Sequence, residues 1–189
     1  MQGLQRCPWG AKEPNATYHD AEWGRPCHND AKLFEMLILE GMQAGLSWEC
    51  VLKKREAMRA AFDGFDVHAC AAYDAERLTE LLEAPGIIRN RLKLASIPAN
   101  AKAFLQVQEE FGSFDAFLWN FVGGVPVVNE YVAPGEIPAE TETSRLMSKA
   151  LKKRGFKFVG PTICYALMQS VGLVDDHLVN CPYHTHNRM

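Results

Sequence analysis

The two ends of this 189-residue chain hold residue types that ligate metals. His177 and Cys181 are four apart, a spacing that on one helical turn would aim both at a single ion. Cys7 and His19, at the other end, are spaced as a loop would place them. Together the four make a Cys₂His₂ set suited to tetrahedral Zn²⁺. All four positions would be filled by protein, leaving none for water, so the predicted site is structural. Its work would be to fix terminal segments that otherwise fray. Cys27, His28, His184 and His186 lie in the same segments as rival ligands. Scattered surface histidines and buried thiols are the alternative reading. Cys50, Cys70 and Cys164 fall on apolar helix faces and read as small core residues.

A second set of residues sets a lone carboxylate beside aromatic rings. Glu40 is the sole charge between Met36 and Met42, on or beside a face that should be buried. A buried carboxylate needs partners or an incoming donor. Tyr18 and Trp23 in Tyr-His-Asp-Ala-Glu-Trp-Gly (18–24), with Trp9 and Trp48, place aromatic rings nearby in sequence. The competing reading makes Glu40 a locally paired residue and the tryptophans core. A third set is basic: Lys149, Lys152, Lys153, Arg154 and Lys157 flank a glycine-bounded turn at 155–160 and meet no acid between 149 and 161. Such a turn, followed by a helix N-terminus, can offer backbone N–H groups to a phosphate, and Gly155 and Gly160 would let a sugar-phosphate chain come close. The competing reading is a solvated helix C-terminus whose lysines complement the dipole. Pro85-Gly86, followed by Arg89, Arg91 and Lys93, suggests more of the same basic face.

These residues need helices to hold them. The spacing predicts a helix over 30–42 with Asp30 as N-cap, and a second capped by Ser47. Short helices begin at Asp66 and Asp74, and another runs from about Ile88 to Phe111, where Pro98 should kink or split it. Ser113 caps an aromatic run, Thr143 a helix ending at Gly155, and Pro161 opens one ending at Gly172. The stretch 123–140 reads as a long Gly/Pro loop. Its valines (Val125, Val127, Val128, Val132) could make a short strand, with no evident partner. The sum is an all-α chain of eight to ten helices. A helical body over 30–172 carries the turn near 149–172, and the irregular segments 1–29 and 173–189 pack on it.

Composition narrows the class. With 48% hydrophobic and 23% charged residues and no repeat or charged tail, the chain is neither disordered nor fibrous. No apolar run approaches a membrane span of roughly 18 residues, and the start lacks a signal-peptide core. Six cysteines are too few for a disulfide scaffold of this length. A cytoplasmic monomer with no membrane partner is expected. The net charge of −3 gives no global reason to expect nucleic acid, so any such contact must be local.

Four segments occur in order: Tyr-His-Asp-Ala-Glu-Trp-Gly (18–24), Leu-Phe-Glu-Met-Leu-Ile-Leu-Glu-Gly-Met-Gln-Ala-Gly-Leu-Ser-Trp (33–48), Leu-Lys-Lys-Arg-Gly-Phe-Lys-Phe-Val-Gly-Pro-Thr-Ile-Cys-Tyr (151–165) and Asp-Asp-His-Leu-Val-Asn-Cys (175–181). In them the chain resembles the DNA-3-methyladenine glycosylase I family, a zinc-containing branch of the helix-hairpin-helix DNA glycosylases. The resemblance implies that fold, with a small zinc-stapled domain made by the two termini. It also implies base-excision repair: hydrolysis of the N-glycosidic bond of 3-methyladenine in double-stranded alkylated DNA, giving free base and an abasic site. It carries Zn²⁺ onto Cys7, His19, His177 and Cys181. The base pocket falls on Tyr18, Glu40 and Trp48, walled by Trp9 and Trp23, with Glu40 as the catalytic candidate. Gln43 and Leu46 become a wedge into the base stack, and Gly155, Lys157 and Gly160 the phosphate-gripping hairpin. Lyase-type relatives carry a lysine just after the hairpin glycine. Pro161 and Thr162 stand here, which implies a monofunctional enzyme. Those relatives also use an aspartate beyond the hairpin, near the place of Asp175. A non-catalytic zinc-stapled DNA-binding module, and a glycosylase for a different alkylated purine, are the rival readings.

Overall fold

The computed structural model describes residues 5–188; residues 1–4 and 189, the extreme ends of the two terminal segments, lie outside the described residues. Nine α-helices lie among the described residues: α1 (Asn15–Ala21), α2 (Asp30–Gln43), α3 (Trp48–Ala61), α4 (Val67–Ala71), α5 (Ala75–Glu83), α6 (Arg91–Phe111), α7 (Phe114–Trp119), α8 (Glu142–Lys153) and α9 (Pro161–Ser170). Two short strands, β1 (Val127–Val128) and β2 (Val174–Asp175), complete them. No helix is long and apolar enough to cross a membrane.

α2 is the axis of the molecule. Every residue from Leu33 to Met42 is buried, so the helix is apolar nearly all round and must be wrapped on every side. It touches α3, α6, α7 and α9, and Phe34 packs edge-on to Phe104 of α6. Its two buried acids are treated differently. Glu35 is matched by Arg55 and Arg59 of α3, and Arg55 also binds Glu22 just after α1. Glu40 has no cationic partner among the described residues.

Capping follows the predicted chemistry at Ser47, Asp66, Asp74 and Ser113, whose side chains accept backbone N–H groups of the first turn. Two positions differ. Asn29 caps α2, while the Asp30 carboxylate accepts the backbone N–H groups of Phe114 and Asp115 and so anchors α7. Thr141 rather than Thr143 caps α8, in a reciprocal box with Ser144. α6 also runs unbroken through Pro98. The cost of the missing N–H is borne by the packing of this long buried helix.

α8 ends in a Schellman turn. Gly155 takes φ +92°, the Gly155 and Phe156 N–H groups return to the carbonyls of Lys152 and Leu151, and Phe156 is buried behind them. The chain then crosses to α9, completing a helix-hairpin-helix. Asn100 of α6 grips the hairpin at Lys157, accepting its N–H at 2.7 Å and donating to its carbonyl at 3.2 Å.

The terminal segments differ from expectation in two ways. The N-terminal one contains a true helix, α1, whose Tyr18 belongs to the main core. The 123–140 loop does find a partner, because β1 pairs in parallel with β2, Val127 beside Val174. Cys7, Leu178 and Cys181 form a second, smaller apolar cluster that joins the two ends of the chain.

Candidate active site

A cavity of about 360 Å³ opens where six separate pieces of chain meet. The first turn of the chain brings Trp9, α1 brings Tyr18, and Trp23 follows it. α2 brings Glu40 and, at its end, Gln43, and Trp48 stands at the start of α3. The size suits a single planar heterocycle with its attached sugar. Trp9 lies edge-on to Trp23 at 4.9 Å between ring centroids, and Tyr18 lies 5.1 Å from Trp48. Asn15 donates to the Trp9 carbonyl at 3.2 Å and fixes the backbone of that wall.

Three polar atoms of this cavity are buried without a hydrogen-bond partner among the described residues: Tyr18 Oη, Glu40 Oε2 and Trp48 Nε1. Buried polar atoms are normally satisfied, and leaving one bare costs about 1–3 kcal/mol. Three orphans in one aromatic hollow therefore describe a site built for something polar. Burial pushes the Glu40 carboxyl up to about 8, with the Ser170 hydroxyl opposing. Burial, and then the nearby Glu40 and Glu22 charges, raise Tyr18. A site that holds an acid above neutrality is poised to favour an incoming cation.

Pro134, Ile137, Ala166 and Gln169 also line the cavity, and sequence reasoning missed them. Ala166 and Gln169 are three apart on α9 and share a face, a signal that was available. Pro134 and Ile137 come from the long loop, which bends back to form a wall; only its unusual length hinted at a role.

The predicted wedge is a tight turn. Ala44 has φ −45° and ψ 116°, Gly45 has φ +74°, and the Leu46 N–H donates to the Gln43 carbonyl at 2.6 Å. This is a type II turn with glycine where positive φ demands it. Leu46 is 43% exposed at its tip, an unusual place for a leucine. A groove runs from Gln43–Leu46 to Thr162, Ile163 and Ala166 of α9, so wedge and hairpin share one surface. A Cβ added to Gly41 would lie 3.4 Å from the Cβ of Phe158 in the hairpin, which leaves little room for a larger residue.

On the hairpin, the N–H groups of Gly160, Thr162 and Ile163 find no acceptor among the described residues. Gly160 has an ordinary φ of −64°, and a Cβ there would meet no protein atom. Lys149, Lys152, Lys153 and Lys157 are exposed. Arg154 is not part of that free set: it pairs with Glu110 at 2.9 Å and stacks on Phe111 and Phe117. Lys93 is not on the surface at all and leaves the predicted basic face.

The metal-type residues converge behind the pocket wall. Donor atoms of Cys7, His19 and Cys181 lie within 4.8 Å of one another, all buried. His177 stands outside that trio, yet its ring packs 4.7 Å from His19, and its buried Nε2 has no partner among the described residues. The 177–181 segment is not helical, contrary to the expected turn of helix; a bend with the Cys181 N–H on the Leu178 carbonyl brings the two together instead. Each histidine is oriented by a carboxylate on Nδ1, His19 by Asp20 at 2.8 Å and His177 by Asp175 at 2.6 Å. That pattern, with Nε2 left for an ion, is the usual outer shell of a zinc histidine. Burial opposes ionisation of Asp175, but hydrogen bonds from His177 and Thr185 outweigh it and hold its carboxyl well below the ordinary range. Asp175 faces this cluster and does not line the cavity. Two of the rivals are engaged elsewhere: His28 contacts Asp115 and stacks on Trp119, and His184 contacts the Asn129 carbonyl and accepts the His186 N–H.

Comparison with known proteins agrees with this geometry. The sequence matches the family described as methyladenine glycosylase over residues 9–185. DNA-3-methyladenine glycosylase of Haemophilus influenzae is 50% identical over 181 residues, covering 95% of this chain and 98% of that one. DNA-3-methyladenine glycosylase 1 of Escherichia coli is 50% identical over 179 residues, covering 94% and 96%. A crystal structure of a 3-methyladenine DNA glycosylase I superposes with a TM-score of 0.92 at 50% identity, over 95% of this chain and 100% of that one. The Staphylococcus aureus 3-methyladenine DNA glycosylase I, solved to explain 3-methyladenine recognition, gives 0.92 at 37% identity over 96% and 97%. With near-complete coverage in both directions and the same fold throughout, the chain belongs to the methyladenine glycosylase family.

Proposed function

We infer that this chain is a monofunctional DNA glycosylase that hydrolyses the N-glycosidic bond of 3-methyladenine in alkylated DNA, releasing the base and leaving an abasic site. The observation that carries this is the trio of unpartnered buried atoms, Tyr18 Oη, Glu40 Oε2 and Trp48 Nε1, inside an aromatic cavity. Methylation at N3 makes the adenine cationic while it is still attached to the sugar. The Trp48 face attracts such a ring by roughly 0.5–2 kcal/mol. With its carboxyl held up to about 8, Glu40 is mostly protonated in the empty site; the cationic base favours its ionised form, which accepts from the exocyclic amine and offsets the charge, and this separates the methylated base from neutral adenine.

The cation is already a good leaving group. The C1′–N9 bond breaks with its electron pair going to the base, which becomes neutral, and a water oxygen bonds to C1′ in its place, one of the water's protons passing to solvent. Binding the cation tightly does not by itself speed that step. Glu40 thus acts chiefly in recognition and in holding the extruded nucleotide where water can reach C1′. Extrusion costs a few kcal/mol, least where the pair is weakened. The wedge turn with Gln43 and Leu46 fills the gap in double-stranded DNA. The hairpin N–H groups beside Gly160, with Lys157 and its neighbours, hold the backbone.

The donor set fits Zn²⁺: two thiols, two imidazoles with carboxylates on Nδ1, and a buried Nε2 in want of a partner. Cys7, His19, His177 and Cys181 would hold it. Bound there, zinc supplies a rigid tie between the terminal segments, and no reactive position. His19 packs on both Trp9 and Trp23, so the tie bears directly on the pocket wall. The terminal segments thereby act as a stapled unit on the helical body, in a cytoplasmic monomer.

The deciding experiment is base release from alkylated duplex DNA by the wild-type chain beside Glu40→Ala. Free 3-methyladenine and an abasic product from the wild type, sharply reduced in the variant, are expected. Duplex binding without base release would leave a DNA-binding module instead.

A further inference from the structure

Lys93 is a buried cation without an acid. It is 5% exposed, and no carboxylate among the described residues lies within ion-pair distance. Its ammonium donates instead to the carbonyls of Met42 at 2.8 Å and Ala44 at 2.6 Å. Those carbonyls belong to the last turn of α2 and to the wedge turn that follows. The neighbouring ones are already used: Gly41 accepts from the Ala44 N–H at 3.4 Å, and Gln43 from the Leu46 N–H at 2.6 Å. Lys93 thus supplies a donor to two carbonyls at this helix end, where carbonyls are ordinarily left for water. It lies at the negative end of the α2 dipole, which favours a cation.

The placement is specific. Lys93 sits in the first turn of α6, whose cap Asn90 accepts the N–H groups of Leu92 and Lys93. The same helix carries Asn100, which clamps the hairpin at Lys157. One rigid helix therefore fixes both the wedge and the phosphate-gripping turn. A two-carbonyl grip on Met42 and Ala44 sets the direction in which Leu46 projects.

We propose that Lys93 is a positioning residue for base extrusion, holding the Gln43–Leu46 turn in the orientation that enters the base stack. This rests on the reading of Leu46 as the wedge. It does not touch the base, so its loss should spare the pocket.

The test is a double-mutant cycle of Lys93→Met and Leu46→Ala in the full chain. Three readings are taken for each variant: free 3-methyladenine binding by tryptophan fluorescence, single-turnover excision from alkylated duplex, and unstacking of 2-aminopurine beside an abasic-site analogue in a duplex. Lys93→Met should bind free base within about twofold of wild type while excision and unstacking fall by about tenfold or more, since small misplacements are costly in this way. The double variant should be no worse than Leu46→Ala alone. Wild-type excision by Lys93→Met, an equal loss of free-base binding, or defects that multiply would overturn the proposal. A fully active Leu46→Ala would overturn the wedge, and the role of Lys93 with it. If Lys93→Met does not fold, Lys93→Ala, which also removes the donor, takes the same three readings against the same thresholds.

Discussion

The Asp175 carboxylate holds the His177 ring by Nδ1 at 2.6 Å; the ring packs 4.7 Å from His19 of the Cys7–His19–Cys181 cluster, and its buried Nε2 has no partner among the described residues. The second Asp175 oxygen is bound by the Thr185 hydroxyl at 2.5 Å and approached by Arg188, so the C-terminal tail locks the orienting acid in turn. Asp175, the aspartate that follows the hairpin, is thus committed to a histidine. Asp175→Asn should lower Zn²⁺ affinity roughly 10–100-fold. Competition against a chromogenic chelator measures this, and unchanged affinity would detach Asp175 from the metal. Cys181→Ser should lower metal content outright.

Glu40 makes a pH prediction with a definite sign. Its ordinary value is 4.5, and burial raises it to about 8 in the folded chain. Below 4.5 both states are protonated and Glu40 has no effect. Between 4.5 and 8 the unfolded chain releases the proton first, so the contribution of Glu40 to stability falls as pH rises. Glu40→Gln escapes this loss and should be roughly 1–3 kcal/mol more stable than wild type at about pH 8, with the gap closing toward about pH 4. Denaturant titrations across that range would contradict the account if the gap stayed constant.

The same substitution should slow excision. Removing a charged acceptor from a desolvated partner costs roughly 1.5–3 kcal/mol, about tenfold to a hundredfold in rate. Single-turnover excision of 3-methyladenine reads it. Wild-type rates in Glu40→Gln would remove Glu40 from recognition.

Lys152, Lys153 and Lys157 are exposed on the hairpin face, whereas Arg154 is occupied by Glu110. Changing the three lysines to glutamine should weaken duplex binding and reduce the slope of log affinity against log salt by up to about 3, nearly one per lost phosphate contact. The slope is the discriminating quantity, and an unaltered one would place the phosphates elsewhere.

Gly160 has a φ of −64° and open space where a Cβ would project. Gly160→Ala should therefore leave thermal stability within about 0.5 kcal/mol of wild type, yet weaken duplex binding by crowding the backbone. A large stability loss would mean that the glycine serves the fold rather than the ligand.

Much of this arrangement could be read from residue types. Ser47, Asp66, Asp74 and Ser113 mark helix starts because a short polar side chain meets a free N–H one turn on, which is a local rule. Glu40 stood out because a lone charge in an apolar run is anomalous whatever the fold. The α8 cap at Thr141 and the unbroken run of α6 through Pro98 were local misreadings, but most failures were non-local. Asp30 left its expected cap to bind α7, more than eighty residues away. Val127 found its partner in Val174, across the whole hairpin. Lys93 looked like a surface base until the end of α2 arrived beside it. The pocket wall from Pro134 and Ile137 belongs to a loop whose path is set by packing and by that strand pair. His177 and Cys181 were grouped on the spacing of a helical turn, but a bend carries them, and His177 stands outside the Cys7–His19–Cys181 trio.

The joining of both termini at Cys7, Leu178 and Cys181 bears on how the protein is made. Trp9, Tyr18 and Trp23 are synthesised long before Leu178 and Cys181, which join Cys7 in that cluster. The helical body can collapse around α2 while the chain is still growing, but His177, which packs on His19 and Trp23, is made only after α9. The layer behind the indole wall is therefore assembled later than the hairpin that precedes it in the chain.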